Sequence, residues 1–227
     1  MIDIRGFIPN SLNEWPGHIS SIVFFGGCNL LCPYCHNSGL EKEERLDSLS
    51  VVAAIGKLSG VNGVVLSGGE ATLQDGLEDF IRVLRNFGHH IKLSTNGTRP
   101  DVVLSLLNNS LLDCICVDYK TLHSQLDSVG AFGLDAKSIP RTFDIVKRSG
   151  IEREYRTTLC PATISKENIV EMAKQLDGDG SWILQQYIAD IPLLSAEKAG
   201  TFQYSDEDLE EIMESVRPLH PFVRLRK

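Results

Sequence analysis

Cys28, Cys32 and Cys35 stand in a Cys-x3-Cys-x2-Cys pattern, three of the chain's six cysteines within eight residues. Gly26, Gly27 and Pro33 interrupt the same segment. They disfavour a continuous helix and leave a loop able to wrap three thiolates around one centre. Soft thiolates select zinc, copper(I) or iron–sulfur clusters. A structural zinc site takes four ligands, and the nearest fourth candidate, His36, adjoins Cys35, which makes joint coordination of one ion sterically awkward. Three thiolates without a fourth partner suit a cubane iron–sulfur cluster whose last iron stays open to a substrate or cofactor. A zinc site and unligated thiols are the alternatives. Cys114, Cys116 and Cys160 form no second knuckle and are expected to be buried as small apolar residues.

Other unusual residues recur at regular intervals. Gly68 and Gly69, ahead of Glu70, would let the backbone pass close to a ligand where a Cβ would obstruct it, though a Gly-Gly-Glu strand end is also a common turn. Asn96-Gly97, after Ser94 and Thr95, reads as an Asx-type turn. Along CICVDYK, alternation puts Cys114, Cys116, Asp118 and Lys120 on one strand face and Ile115, Val117 and Tyr119 on the other. If the apolar face packs against helices, the first set points inward and Lys120 emerges at the rim.

The elements that must position these groups alternate between short β-branched runs and longer amphipathic segments. Strands are expected at 21–25, 63–67, 91–95, 114–120, 154–159 and 182–188, and helices at 50–58, 75–87, 101–107, 141–149, 166–176 and 206–216. Ser165 and Ser205 are placed as N-caps, and Gly88, Gly150 and Gly178 as left-handed helix ends. Six β-then-α units imply parallel strands with right-handed crossovers. They are too few for a closed eight-fold barrel, so a partial barrel and a doubly wound sheet both remain open. In either, functional groups collect at the carboxyl ends of the strands, where GGCNLLCPYCHN, SGGE, STNG and DYK all fall. Trp15 reads as a packing anchor and the acidic SDEDLEE run as a solvated helix face.

The chain's 227 residues, 42% hydrophobic and 23% charged, exclude disorder and low-complexity architectures. They support one domain over 1–227, with a core at about 18–190 and a C-terminal helix at about 205–217. A net charge of −8 removes the attraction behind non-specific nucleic-acid or anionic-membrane binding, so neither partner is expected. The longest apolar runs, such as 22–25, fall far short of the ~18 residues of a membrane span. The opening residues lack the unbroken apolar core of a secretory signal. A cytoplasmic setting is expected, where clustered thiols mean metal or redox chemistry before cross-links.

CNLLCPYC has the cysteine spacing of radical S-adenosylmethionine enzymes, with Tyr34 as the aromatic residue that commonly precedes the third cysteine, and Gly68 to Glu70 look like their second motif. The run 15–37, with His36 and Asn37 after the last cysteine, further resembles the activating enzymes of anaerobic ribonucleotide reductase and related glycyl-radical activases. The likeness continues through SGGEATLQ, STNGT, VDYKT, YRTTLCP and ILQQY, over roughly residues 5 to 190.

That resemblance implies an α/β fold, a single-domain partial (β/α)6 barrel, with a [4Fe-4S] cluster held by Cys28, Cys32 and Cys35. S-adenosylmethionine would chelate the open iron and be cleaved reductively to a 5′-deoxyadenosyl radical. The cofactor's surroundings are expected to be Tyr34, Gly68, Gly69, Glu70 accepting from its ammonium, Ser94, Asn96, Lys120 near its carboxylate, and Arg156, whose fixed guanidinium also suits a carboxylate. Ala71 stands where the family usually has proline. Ser94 occupies the place of an aspartate that often helps bind a monovalent cation. Gln185 and Gln186 are assigned either to the adenosyl group or to a partner's backbone. The implied partners are a glycyl-radical enzyme, anaerobic ribonucleotide reductase first, docking on an open side of the barrel, and an electron donor such as flavodoxin or ferredoxin. A small-molecule radical enzyme such as a 7-carboxy-7-deazaguanine synthase, and a zinc-binding interaction module, are the rival readings.

Overall fold

The computed structural model describes residues 2–189 and 194–227. One eight-stranded sheet runs in chain order: β1 (Ile4–Ser11), β2 (Ser20–Phe25), β3 (Gly63–Gly68), β4 (His90–Thr95), β5 (Cys114–Asp118), β6 (Glu152–Leu159), β7 (Ser181–Gln186) and β8 (Val223–Arg226). β2 to β8 are parallel, β1 is antiparallel to β2, and the sheet does not close on itself. The intervening helices are α1 (Ser48–Gly56), α2 (Leu77–Asn86), α3 (Pro100–Asn108), α4 (Ser138–Arg148), α5 (Lys166–Leu176), α6 (Ala196–Ala199) and α7 (Asp206–Val216). The six expected parallel strands are β2 to β7, each followed by a helix, and the open α/β sheet is of the partial-barrel kind. β1, β8 and the single turn α6 are additions to the sequence expectation.

Strand alternation separates two environments. Val23, Leu66, Leu93, Val117 and Leu184 face the helices and share a core with Ile55, Ile81, Leu84, Val146, Ile169 and Leu209. The opposite face turns inward, and at its lower end Trp15 joins Ile22, Val65 and Cys114 in a small separate cluster. Trp15 is thus the packing anchor it was expected to be. The segment after β1 carries it there and ties both ends of the sheet together: Arg226 donates to the Asn13 carbonyl at 3.2 Å, Trp15 Nε1 donates to Glu152 at 3.3 Å, and Lys92 Nζ donates to the Glu14 carbonyl at 2.8 Å.

The helix ends follow their chemistry. Ser165 accepts from the Asn168 N–H, and Ser205 and Asp208 form a reciprocal capping box. α2 begins at Leu77 rather than 75 because Gly76 is left-handed. α4 begins three residues earlier than 141 because Pro140 is tolerated in a first turn, where N–H groups lack intrahelical partners anyway. Among the described residues no helix is long and apolar enough to cross a membrane.

Candidate functional site

At the carboxyl ends of the strands lies a cavity of about 330 Å³. Its wall contains Cys28, Cys32, Tyr34 and Cys35 from the loop after β2, Gly68, Gly69 and Glu70 from the end of β3, Ser94 and Asn96 from the end of β4, Lys120 after β5, and Arg156 on β6. Every candidate site residue from the sequence therefore borders one space.

The cysteine loop is clamped on two sides. The N–H groups of Gly69 and Glu70 donate to the carbonyls of Phe25 (2.8 Å) and Gly27 (2.7 Å), and Asn37 Nδ2 donates to the Gly68 carbonyl at 2.9 Å. A Cβ on Gly69 would stand 2.0 Å from the Gly27 oxygen, and one on Gly68, with φ of +114°, 2.3 Å from the Phe25 nitrogen. The neighbouring backbone thus already requires glycine at both positions, which also border the cavity. From the other side the turn at 129–130 presses on the loop, with Val129 oxygen 3.5 Å from Cys32 Sγ. Cys28 is exposed, Cys35 half-buried and Cys32 buried. Burial pushes the Cys32 thiol up to about 11 and raises that of Cys28.

Glu70 is buried, and its carboxylate is occupied by the protein. Oε1 accepts from Thr72 N (3.0 Å), Thr72 Oγ1 (2.5 Å) and Thr95 Oγ1 (2.7 Å), while Oε2 accepts from Asn96 N (2.6 Å). Burial pushes this carboxyl up, and the four donors pull it back. Asn96 is similarly engaged. Its Oδ1 accepts from Thr98 N (3.0 Å) and Thr98 Oγ1 (2.7 Å), the Asx turn read from the sequence, and its Nδ2 donates to Asn29 Oδ1 (3.0 Å). Both side chains border the cavity, yet they hold the β3 and β4 loops together.

Asp118 organises the charged wall. Lys120 Nζ lies 3.0 Å from its Oδ2, and Arg156 donates to its Oδ1 from Nε at 3.2 Å. Glu14 flanks Arg156 at 3.7 Å. Burial disfavours the Lys120 ammonium, but Asp118 outweighs it and holds the group well above the ordinary lysine range. Burial likewise opposes ionisation of Asp118, and Lys120 and Arg156 reverse this, lowering its pKa. Gln185 borders the cavity, whereas Gln186 points away and donates to the Tyr204 carbonyl at 3.3 Å. Cys114, Cys116 and Cys160 are buried. Asp118, Asn29, Asn37, Thr98 and Glu14 were not singled out as site residues from the sequence. Asp118 shares Lys120's face of the strand, a usable signal; the others come from loops without periodicity.

The donor set fits an iron–sulfur cluster. Three thiols open on one cavity, and the Tyr34 hydroxyl beside them is buried without a hydrogen-bond partner. Among the described residues no three His, Cys, Asp or Glu side chains are placed to hold a single metal ion. Ligands on different corners of a cube stand farther apart than ligands of one ion.

Residues 22–177 match the family described as the radical SAM superfamily. The chain belongs to the radical SAM superfamily. Membership implies a [4Fe-4S] cluster and S-adenosylmethionine, and it sets aside the zinc-module alternative. Over 197 residues the chain is 29% identical to a Methanocaldococcus jannaschii protein provisionally named a glycyl-radical enzyme activating enzyme, covering 81% of this chain and 79% of that one. It is 32% identical to the pyruvate formate-lyase-activating enzyme of Clostridium pasteurianum over 71% of each chain. Its identity to the 7-carboxy-7-deazaguanine synthase of Clostridium acetobutylicum is 25%, over 70% of this chain and 80% of that one. In fold, it superposes on a radical SAM methyltransferase from Sphaerobacter thermophilus with a TM-score of 0.72 at 17% identity, covering 93% of this chain and 67% of the other. On Streptococcus suis SuiB bound to S-adenosylmethionine the TM-score is 0.68 at 15% identity, with 88% of this chain matching about half, 48%, of SuiB.

Proposed function

We propose that this radical SAM protein is an activating enzyme that withdraws a hydrogen from a glycine of a larger partner enzyme, anaerobic ribonucleotide reductase being the partner of choice. Similarity to two activases over most of both chains supports this reading. The site supports it too: Cys28, Cys32 and Cys35 share one cavity and would hold three corners of the cluster, leaving the fourth for S-adenosylmethionine. When bound and reduced, the cluster supplies the electron that cleaves the cofactor's sulfonium C–S bond and so starts hydrogen abstraction.

The protein's part is to bind, orient and exclude water. Lys120 and Arg156, fixed on either side of Asp118, offer two cations to the cofactor carboxylate. The Gly68–Gly69 backbone and Ser94 bound the same space, and the free Tyr34 hydroxyl awaits an acceptor or donor. Glu70 and Asn96 shape the pocket by tying its loops. Leu30, Tyr34, Val129 and Tyr187 form a buried cluster that shields the cysteine loop. With Ser94 neutral and Asp118 held between two side-chain cations, no step is assigned to a monovalent cation. The single domain over 1–227 works in a reducing, cytoplasmic setting with flavodoxin or ferredoxin as electron donor.

Anaerobic incubation of reconstituted protein with a candidate reductase, S-adenosylmethionine and reductant tests the proposal. A glycyl-radical EPR signal on the reductase supports it. Cofactor cleavage without that signal, together with turnover of a pterin-like substrate, would favour the second reading, a small-molecule enzyme of the 7-carboxy-7-deazaguanine synthase type, which the 25% identity supports.

A further inference from the structure

The side-chain amide of Asn96 is directed at the Cys28 sulfur. Its orientation is decided by a donor that cannot change roles: the Thr98 backbone N–H lies 3.0 Å from one amide terminus, which must therefore be Oδ1. The Thr98 hydroxyl, at 2.7 Å from the same atom, agrees. The amide's two hydrogens are then directed the other way, one to Asn29 Oδ1 at 3.0 Å and the other toward Cys28 Sγ at 3.8 Å. The backbone that carries the amide is also held. The Asn96 N–H is held by Glu70, and the next residue, Gly97, packs against Val117 and Thr142 and accepts from Thr142 Oγ1 at 2.6 Å. Cys28 Sγ also receives the Leu30 N–H at 3.4 Å, whereas Cys32 Sγ instead faces the Val129 carbonyl.

We propose that Asn96 is a positioning residue that tunes the cluster's reduction potential by donating an N–H···S hydrogen bond to the Cys28 ligand. The inference rests on the cluster reading above. An N–H donor favours a sulfur bearing more negative charge, so it stabilises the reduced cluster over the oxidised one and raises its potential. Glu70 would act through Asn96: by fixing the backbone of the turn, the buried carboxylate sets the distance between the amide and the sulfur.

The test is an EPR-monitored redox titration of anaerobically reconstituted full-length protein, with iron and sulfide measured on the same samples. Asn96→Ala should bind as much iron and sulfide as the unmodified chain and titrate at a lower potential. Asn96→Asp should shift further in the same direction, because a carboxylate adds negative charge and cannot donate. Thr98→Val, which removes one of the two groups orienting the amide without touching the sulfur, should give a smaller shift of the same sign. Arg82→Ala, which removes only an exposed ion pair with Glu78 on α2, should leave the potential unchanged. Should Asn96→Ala lose its cluster, Thr98→Val carries the test. Unchanged potentials in Asn96→Ala or Thr98→Val, or an equal shift in Arg82→Ala, would overturn the proposal while leaving the cluster reading intact. An unmodified chain that loads no iron would overturn both.

Discussion

Replacing Glu70 by Gln separates a loop tie from a cofactor ligand. In the native arrangement one oxygen takes three donors and the other takes the Asn96 N–H at 2.6 Å. A glutamine that keeps its carbonyl on the three-donor side turns an NH2 toward the Asn96 N–H and leaves that buried donor unpaired. Losing an acceptor to a charged group costs about 1.5–3 kcal/mol, and relief of the buried charge returns part of it. A net loss of about 1–2 kcal/mol corresponds to a fall in Tm of about 2–8 °C for a domain of this size. Glu70→Ala should be worse, because the Thr72 and Asn96 N–H groups both lose their acceptor. The assay is thermal unfolding of the metal-free protein under reductant, with no S-adenosylmethionine present, followed by cofactor affinity on reconstituted samples. A Gln variant within about 1 °C of the parent that nonetheless loses cofactor affinity would refute the reasoning and return Glu70 to the role of a direct ligand.

Lys120→Ala removes one of the two cations facing the cavity while Arg156 keeps Asp118 partnered. It should weaken S-adenosylmethionine binding about 10- to 100-fold, the worth of one charged hydrogen bond, with iron content unchanged, as calorimetry on the reconstituted protein would show. Far from the site, Asp179 accepts from Arg153 Nε at 2.8 Å and Tyr155 Oη at 2.7 Å. Its pKa is lowered, because these donors outweigh the opposing effect of burial. The folded state therefore binds the proton less readily than the unfolded chain, so this contribution is complete above the unfolded value near ~4 and is lost as pH falls below it. Melting curves between pH 5 and 2 should fall more steeply for the native chain than for Asp179→Asn, and parallel curves would contradict the assignment.

What the sequence made legible depended on whether the signal was local. β2 to β7 were readable as β-branched runs, and Ser165 and Ser205 as caps, because each is a contiguous pattern. β1 was hidden by Gly6 and Pro9 and by irregular pairing between Ile4 and Gly6 and between Ile8 and Ser11, which spoil alternation. β8 is four residues with two arginines, and only its place beside β7 makes it a strand. The cysteines and the Gly-Gly-Glu motif were visible for the same local reason. The partners that give them roles were not: Asn29 and Asn96 meet across 67 residues, and a Cβ at position 69 would meet Gly27 only once β2 and β3 are paired. Gln185 and Gln186 could be told apart only when the register of β7 showed which one faces inward.

The central claim is that Cys28, Cys32 and Cys35 hold a cluster with one corner open. The most direct measurement is 5′-deoxyadenosine released from S-adenosylmethionine by oxygen-free, iron-loaded protein under reductant. The native chain and Cys114→Ala should both release it, and Ala variants of the three loop cysteines should release none and lose iron. A native chain that stays colourless, or one that holds its iron yet leaves the cofactor uncleaved, would contradict the account.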